Sequence, residues 1–82
     1  MITIKYFASI REKMGLSQET FVGHASTLGD LRDQLIGRGG AYAENLARGS
    51  AVRMALNQVM CDDSAVLTET AEVAFFPPVT GG

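Results

Sequence analysis

The sequence predicts an α+β domain, and three observations lead to this class. The chain has 82 residues, enough for one domain with a small core and too few for a second. One segment, starting near Thr27, has the apolar spacing of an amphipathic helix. Around it lie short segments in which apolar and polar residues alternate, as they do in half-buried strands. A mixed sheet of about five strands packed on one main helix is an α+β arrangement.

The first elements are a strand, a helical turn and a second strand. Segment 2–7 alternates apolar and polar residues until Phe7. Its inward side chains are predicted to be Ile2, Ile4 and Tyr6. Phe7 breaks the alternation and falls, by parity, on the opposite face. Residues 9–14 are predicted to form a helical turn that ends at Gly15. Residues 19–22 are predicted to form the second strand.

The main helix is predicted to start at Thr27, a good N-cap residue, with Asp30 completing a pattern like a capping box. Its apolar stripe has spacing i, i+3, i+7 and i+8 and consists of Leu28, Leu31, Leu35 and Ile36. Three glycines end this helix: Gly37, Gly39 and Gly40. Segment 41–46 predicts a further short helical piece.

Three strands are predicted in the second half of the chain. Segment 52–56 alternates, and segment 59–61 is predicted to pair back with it across a turn at residues 57–58. The inward side chains of the first of these strands are Val52, Met54 and Leu56. The last strand, 72–76, points Val73 and Phe75 inward and Ala74 and Phe76 outward.

The order of these elements suggests one topology. If the first and last strands lie side by side and parallel, the fold is a β-grasp, the ubiquitin-like fold. We therefore expect a β-grasp domain over residues 1–76 and an extended C-terminal tail over residues 77–82.

The tail has a stiff base and a thin end. The segment predicted to thread into a partner's site consists of Pro77, Pro78, Val79 and Thr80. The two prolines have no backbone N–H, so they end the last strand and favour extended backbone before them. Gly81 and Gly82 add no side chain. Fully extended, the six tail residues reach about 20 Å.

The terminal carboxyl group is the candidate reactive group. Its pKa is about 3.3–3.7, so at neutral pH it is an anion and a poor acyl electrophile. It becomes reactive when one oxygen is converted to a leaving group, for example by adenylation with ATP. Two final glycines let an activating enzyme approach the carbonyl closely. The pattern indicates acyl chemistry carried out on Gly82.

The closing run from Phe75 to Gly82, FFPPVTGG, is similar to that of molybdopterin synthase small subunits, a family of ubiquitin-like sulfur carriers. Weaker matches are Phe7-Ala8 followed by Arg11-Glu12, and Ala55-Leu56-Asn57-Gln58. The resemblance covers essentially the whole chain, and the segment around 37–49 adds no support to it.

The resemblance implies a mechanism. An activating enzyme like ubiquitin E1 uses ATP to adenylate Gly82, and a sulfur donor, usually a protein persulfide, displaces AMP to leave a thiocarboxylate. The tail then enters the large subunit of molybdopterin synthase and donates sulfur to cyclic pyranopterin monophosphate. The chain is expected to be non-catalytic alone, the sulfur-donating subunit of a heterotetrameric sulfurtransferase. No tightly bound cofactor is expected, because the activating enzyme uses the ATP.

An apolar surface is predicted beside the tail. Strand parity leaves Phe7, Ala55, Ala74 and Phe76 on the sheet face that points away from the main helix, with Met60 near them. An exposed apolar patch next to a reactive tail suits a partner interface, and the resemblance implies the same use. The predicted interface residues are Phe7, Met60 and Phe76, with Arg11 as a charged contact beside Phe7.

Charge and composition argue against several functions. The net charge of -2 disfavours nucleic-acid binding, and no apolar run approaches the ~20 residues of a membrane helix. With one cysteine, Cys61, and one histidine, His24, the chain cannot form an intramolecular disulfide or a multi-cysteine metal site. Asp62 and Asp63 are typical of a solvated turn, so no metal site is predicted. With no signal-peptide pattern, we expect a cytoplasmic protein.

Two other functions stay open. A ubiquitin-like sulfur carrier for thiazole or tRNA thiolation, or a protein modifier, would share the fold and the Gly-Gly ending. A non-catalytic β-grasp interaction module would use the sheet face and leave the tail idle. Deleting Gly82 separates the module from the carriers, because an idle tail predicts full function without that residue.

Overall fold

The computed structural model describes residues 1–78, which form five strands and three helices. In chain order these are β1 (Ile2–Tyr6), α1 (Ala8–Met14), β2 (Gln18–Phe21), α2 (Leu28–Ile36), α3 (Gly40–Leu46), β3 (Arg53–Leu56), β4 (Val59–Cys61) and β5 (Glu72–Phe76). Every element predicted from the sequence is present. The predicted strand ends differ from the observed ones by at most one residue.

The strands form one mixed sheet in the order β2-β1-β5-β3-β4. β1 and β5 are parallel, with Tyr6 opposite Phe75, and the other neighbouring pairs are antiparallel. The predicted parallel pairing of the first and last strands is therefore confirmed. Because β5 is the central strand, the C-terminal end of the described chain leaves from the middle of the sheet.

The core lies between one face of this sheet and the helices. Its completely or almost completely buried large side chains are Ile4 and Tyr6 from β1, Val73 and Phe75 from β5, and Leu28, Leu31, Leu35 and Leu46 from the helices. The rings of Tyr6 and Phe75 stack with centroids 5.9 Å apart. The predicted inward residues of β1 and β5 are thus confirmed, whereas Ile36 of the predicted stripe is half-buried.

Local caps determine where the helices begin and end. The Thr27 hydroxyl accepts a hydrogen bond from the Asp30 amide at 3.1 Å, which confirms the predicted N-cap of α2. The Asp30 carboxylate accepts from the Ser26 amide instead of closing a capping box onto Thr27. Gly15 ends α1 with a left-handed backbone (φ 78°), which glycine adopts at little cost.

A buried arginine, Arg32 in α2, links that helix to the end of α3 through hydrogen bonds. Arg32 is 6% exposed and donates to the carbonyl oxygens of Leu46 (2.6 Å) and Ala47 (3.0 Å) at the end of α3. It also pairs with Asp63 at 3.2 Å. These contacts satisfy carbonyls that a helix end leaves without intrahelical partners. Asp63 also pairs with Arg48 at 3.2 Å. It lies in a turn and is partly exposed, as predicted, but its two ion pairs were not predicted.

Candidate functional site

The base of the tail is held firmly by the sheet. The β5 residue Phe75 is completely buried, and its carbonyl accepts a hydrogen bond from the Phe7 amide at 3.1 Å. β5 ends at Phe76, and the half-buried Pro77 and Pro78 follow. Since proline has no N–H, the ladder of sheet hydrogen bonds cannot continue through these two residues.

The residues predicted to carry the chemistry follow this base. Gly81 and Gly82, and the threading residues Val79 and Thr80, lie outside the described residues 1–78. Their roles, and the division into a domain of residues 1–76 and a tail of residues 77–82, stay predictions. What the structure describes is the surface from which the tail departs.

That surface carries five apolar residues on the outer face of the sheet, the face opposite the core. We call them the outer patch: Phe7, Ala55, Met60, Ala74 and Phe76. Ala55 stands opposite Ala74 on one side and opposite Met60 on the other. Phe7 keeps an extended backbone (φ -124°, ψ 153°), so the alternation of β1 continues through it.

Exposure differs among the members of the outer patch. Met60 is 65% exposed and Phe7 46%, whereas Phe76 and Ala74 are half-buried. Ala55 is only 8% exposed, because this small residue lies between β4 and β5. Ala55 is buried, but the other four lie outside the hydrophobic core, and none of the five belongs to the cluster packed between the sheet and the helices. An apolar group with exposed members outside that cluster is typical of an interaction surface, although a role for Phe7, Met60 and Phe76 at an interface stays a prediction.

A strained turn places Phe7 beside the helix that carries Arg11. Ala8 has a left-handed backbone (φ 50°), which costs a residue with a Cβ about 1–2 kcal/mol. The turn lets α1 start directly after Phe7, whose carbonyl accepts from the Arg11 amide at 3.2 Å. The Arg11 side chain is exposed, and its role as a charged contact beside Phe7 stays a prediction. An alanine in a sequence does not indicate a left-handed backbone, so this turn was not predicted.

Polar residues bound the outer patch at the other end of the strands. Lys5 and Glu72, both on the outer face, form an ion pair of 3.1 Å that is partly exposed. Thr3 stands opposite Glu72, and Lys5 stands opposite Ala74. Lys5 and Glu72 therefore border the outer patch on its β1 side and toward the start of β5, and Phe7 and Phe76 are the patch members nearest the base of the tail.

The single cysteine and the single histidine do not form a catalytic arrangement with this surface. Cys61 packs against the core and stands opposite Met54. Burial, with the nearby charges of Asp62 and Asp63, raises the pKa of its thiol, so little thiolate is available for nucleophilic chemistry. His24 is exposed, with Nε2 at 3.2 Å from the Ser26 hydroxyl.

Among residues 1–78, no three His, Cys, Asp or Glu side chains cluster closely enough to hold a metal ion. No helix in that range has the length and apolar character needed to cross a bilayer. A cavity of about 280 Å³ lies at the far end of the strands from the tail base, lined in part by Ile2, Phe21 and Leu67.

The topology and the surface together define a class of protein. A mixed five-stranded sheet with parallel first and last strands is a ubiquitin-like β-grasp, and this one has an apolar patch beside its C-terminal end. The chain belongs to the ThiS family, whose model matches residues 4–82.

Two relatives that align with this chain over nearly its whole length have the same description. The molybdopterin synthase sulfur carrier subunit of Escherichia coli K12 is 35% identical over 82 residues, covering 100% of both chains. The protein of the same description from Mycobacterium tuberculosis is 34% identical over 83 residues, covering 99% of this chain and 96% of the relative.

Solved structures agree on the fold. SAMP1 from Haloferax volcanii superposes with a TM-score of 0.75 at 25% identity, covering 99% of this chain and 98% of the other. A chain from the complex of subunits 1 and 2 of the molybdopterin-converting factor of Helicobacter pylori gives a TM-score of 0.67 at 26% identity, covering 99% and 97%. The ubiquitin-like β-grasp predicted from element order is therefore confirmed.

Proposed function

We propose that this chain is the sulfur carrier subunit of a molybdopterin synthase. The observation that carries the proposal is the 35% identity, over both full lengths, with the E. coli subunit of that description. The Gly81-Gly82 ending and the apolar outer patch at the tail base support it.

The proposed chemistry of the tail has three stages: activation of the Gly82 carboxylate, its conversion to a thiocarboxylate, and transfer of the sulfur. The Gly82 carboxylate attacks the α-phosphorus of ATP in an E1-like activating enzyme, which releases pyrophosphate and leaves an acyl-adenylate. A persulfide sulfur attacks the acyl carbon and AMP leaves. A thiol then reduces the remaining S–S bond and frees the Gly82 thiocarboxylate. After its sulfur passes to cyclic pyranopterin monophosphate, the carboxylate is restored with oxygen from water.

The protein itself supplies position rather than catalysis. The buried Phe75 and its neighbours fix the base of the tail, so the predicted reach of the last six residues starts from a fixed point. The outer patch provides apolar area for docking the large subunit of molybdopterin synthase. The known complex of the two converting-factor subunits from H. pylori is consistent with such a pairing.

Intact mass spectrometry tests this proposal. The full chain is incubated with an E1-like enzyme, ATP and a persulfide donor, and we expect a mass gain of one sulfur minus one oxygen, localised to Gly82. A reaction without ATP and a variant lacking Gly82 serve as controls, and both should show no gain. No gain in the complete reaction, with enzymes active on a control carrier, would remove the carrier role and favour the interaction module.

A second step tests the acceptor. The charged carrier is mixed with the large subunit and cyclic pyranopterin monophosphate, and formation of the dithiolene product is measured. If the charged carrier gives no dithiolene, cyclic pyranopterin monophosphate is not its acceptor, and thiazole or tRNA thiolation is favoured instead.

A further inference from the structure

The seven lysine and arginine side chains fall into two groups. Four of them form ion pairs within residues 1–78: Lys5, Arg32, Arg38 and Arg48. Within the same residues, Arg53 makes no ion pair, and it is exposed. The second group consists of Arg11, Lys13 and Arg53. Arg11 and Lys13 lie in α1, whereas Arg53 lies in the sheet, at the start of β3.

Arg53 stands at the base of the tail. It lies directly opposite Phe76, the last residue of β5. Its neighbour Met54 is buried in the core, so alternation puts the Arg53 side chain on the outer face with Phe76. Side chains opposite each other on antiparallel strands have Cβ atoms about 4.5–5.5 Å apart. The guanidinium stem therefore borders the outer patch where Pro77 begins the tail.

The position has an energetic consequence for docking. In the free protein, water solvates this exposed guanidinium. A partner that covers the outer patch removes part of that water, and a partly buried cation without a counter-ion is unfavourable. A carboxylate is the planar acceptor that matches the donor fork of arginine in a bidentate pair. Partners with a carboxylate at this point are favoured, and partners without one are disfavoured.

We propose that Arg53 is a specificity residue that pairs with a carboxylate on the molybdopterin synthase large subunit when that subunit covers the outer patch. This inference rests on the proposed function, because it takes the large subunit to be the docked partner. Lys5 does not need a carboxylate from the partner, because it already pairs with Glu72 at 3.1 Å. A polyanionic partner such as a nucleic acid fits poorly, because the whole chain has a net charge of -2.

The test compares association kinetics of full-length variants with the large subunit. R53E, R53Q and the charge-matched control K13E, on the exposed surface of α1, are measured at ionic strengths of about 0.1 M and about 1 M. At the lower salt we expect R53E to associate about tenfold more slowly than wild type and R53Q about threefold more slowly. K13E should stay within about twofold, and the differences should shrink at the higher salt.

A charge reversal on the partner tests whether Arg53 pairs directly with the facing carboxylate. A large-subunit variant in which the facing carboxylate is changed to arginine should restore rapid association with R53E and slow it with wild type. R53E that associates as fast as wild type, or K13E that is slowed equally, would overturn the assignment. Thermal unfolding of R53E controls for folding, and R53Q keeps the test open if R53E is unstable.

The outcomes distinguish this inference from the function on which it rests. If the wild-type chain gains sulfur at Gly82 and binds the large subunit, but R53E and R53Q bind equally well, the Arg53 assignment alone falls. If the wild-type chain neither gains sulfur nor binds the large subunit, the proposed function falls, and the Arg53 assignment falls with it.

Discussion

The two faces of the sheet hold apolar side chains in opposite settings. On the inner face, Phe75 is completely buried and stacks on Tyr6. On the outer face, Met60 and Phe7 are exposed, and none of the outer patch belongs to the core cluster between the sheet and the helices. The two arginines differ likewise, because the buried Arg32 pairs with Asp63, whereas the exposed Arg53 on the outer face forms no ion pair within residues 1–78. The inner face therefore stabilises the fold, whereas the outer face keeps apolar side chains accessible to solvent.

Adjacent phenylalanines give the largest test of this division. Phe75 and Phe76 are neighbours in β5, but strand alternation sends them to opposite faces. We expect Phe75→Ala to lower the free energy of unfolding by about 3–5 kcal/mol, enough to leave much of the protein unfolded. Phe76→Ala should cost about 1 kcal/mol or less, because its side chain is outside the core. Urea denaturation measures both, and equal losses would contradict the separation of the faces.

Two arginines repeat the comparison for charge. Arg32→Met removes hydrogen bonds to the carbonyls of Leu46 and Ala47 and leaves Asp63 without its buried partner. We expect the free energy of unfolding to fall by about 2–3 kcal/mol. Arg53→Met, at an exposed position, should change it by less than about 0.5 kcal/mol. The two variants are compared by urea denaturation under identical conditions, and an equal effect would refute a structural role specific to Arg32.

Neighbours in β4 separate exposure from location. Met60 and Val59 are exposed to nearly the same extent, 65% and 67%, but alternation puts only Met60 on the outer face. Met60→Ala should weaken binding of the large subunit about tenfold, equivalent to about 1.4 kcal/mol. Val59→Ala is the control and should leave affinity nearly unchanged. Isothermal titration calorimetry measures both dissociation constants. Similar losses would mean that the partner reads the edge of the sheet rather than the outer patch.

Most of the fold was predictable because its determinants are local. Alternation in β1 and β5 identified the inward residues, and Thr27 identified the start of α2. The placement of the outer patch followed from the same parity, which is why Phe7 and Phe76 were assigned to the correct face.

What was missed depends on tertiary contacts or unusual backbone. Arg32 looks like a surface residue in sequence, yet the end of α3 supplies carbonyl acceptors that allow its burial. Asp63 becomes an anchor only because Arg32 and Arg48 meet it from other elements. The left-handed Ala8 has no sequence pattern of its own, and the low exposure of Ala55 depends on strands that lie on both sides of it.

A carboxylate at the edge of the inner face gives the smallest expected effect. Glu19 accepts hydrogen bonds from the hydroxyls of Tyr42 (2.7 Å) and Tyr6 (2.9 Å) and from the Arg38 guanidinium (2.8 Å). Burial acts to raise the pKa of Glu19, but these hydrogen bonds outweigh it and lower that pKa below its usual value. Burial, followed by the contact with Glu19, raises the pKa of Tyr6 far above its ordinary range, so Tyr6 stays neutral.

The sign of the pH dependence follows from the lowered pKa of Glu19. A group whose pKa is lower in the folded state stabilises the fold above its unfolded pKa, about 4.3 for Glu, and loses that contribution as the pH falls through the folded value. We expect Glu19→Gln to lower the free energy of unfolding by about 1 kcal/mol at pH 7, and the gap from wild type to narrow below about pH 4. The exposed Glu12→Gln serves as the control and should match wild type at pH 7. Urea denaturation across this pH range measures the gap, and a gap that stays constant into acid would show that the tyrosines and Arg38 need no charge on Glu19.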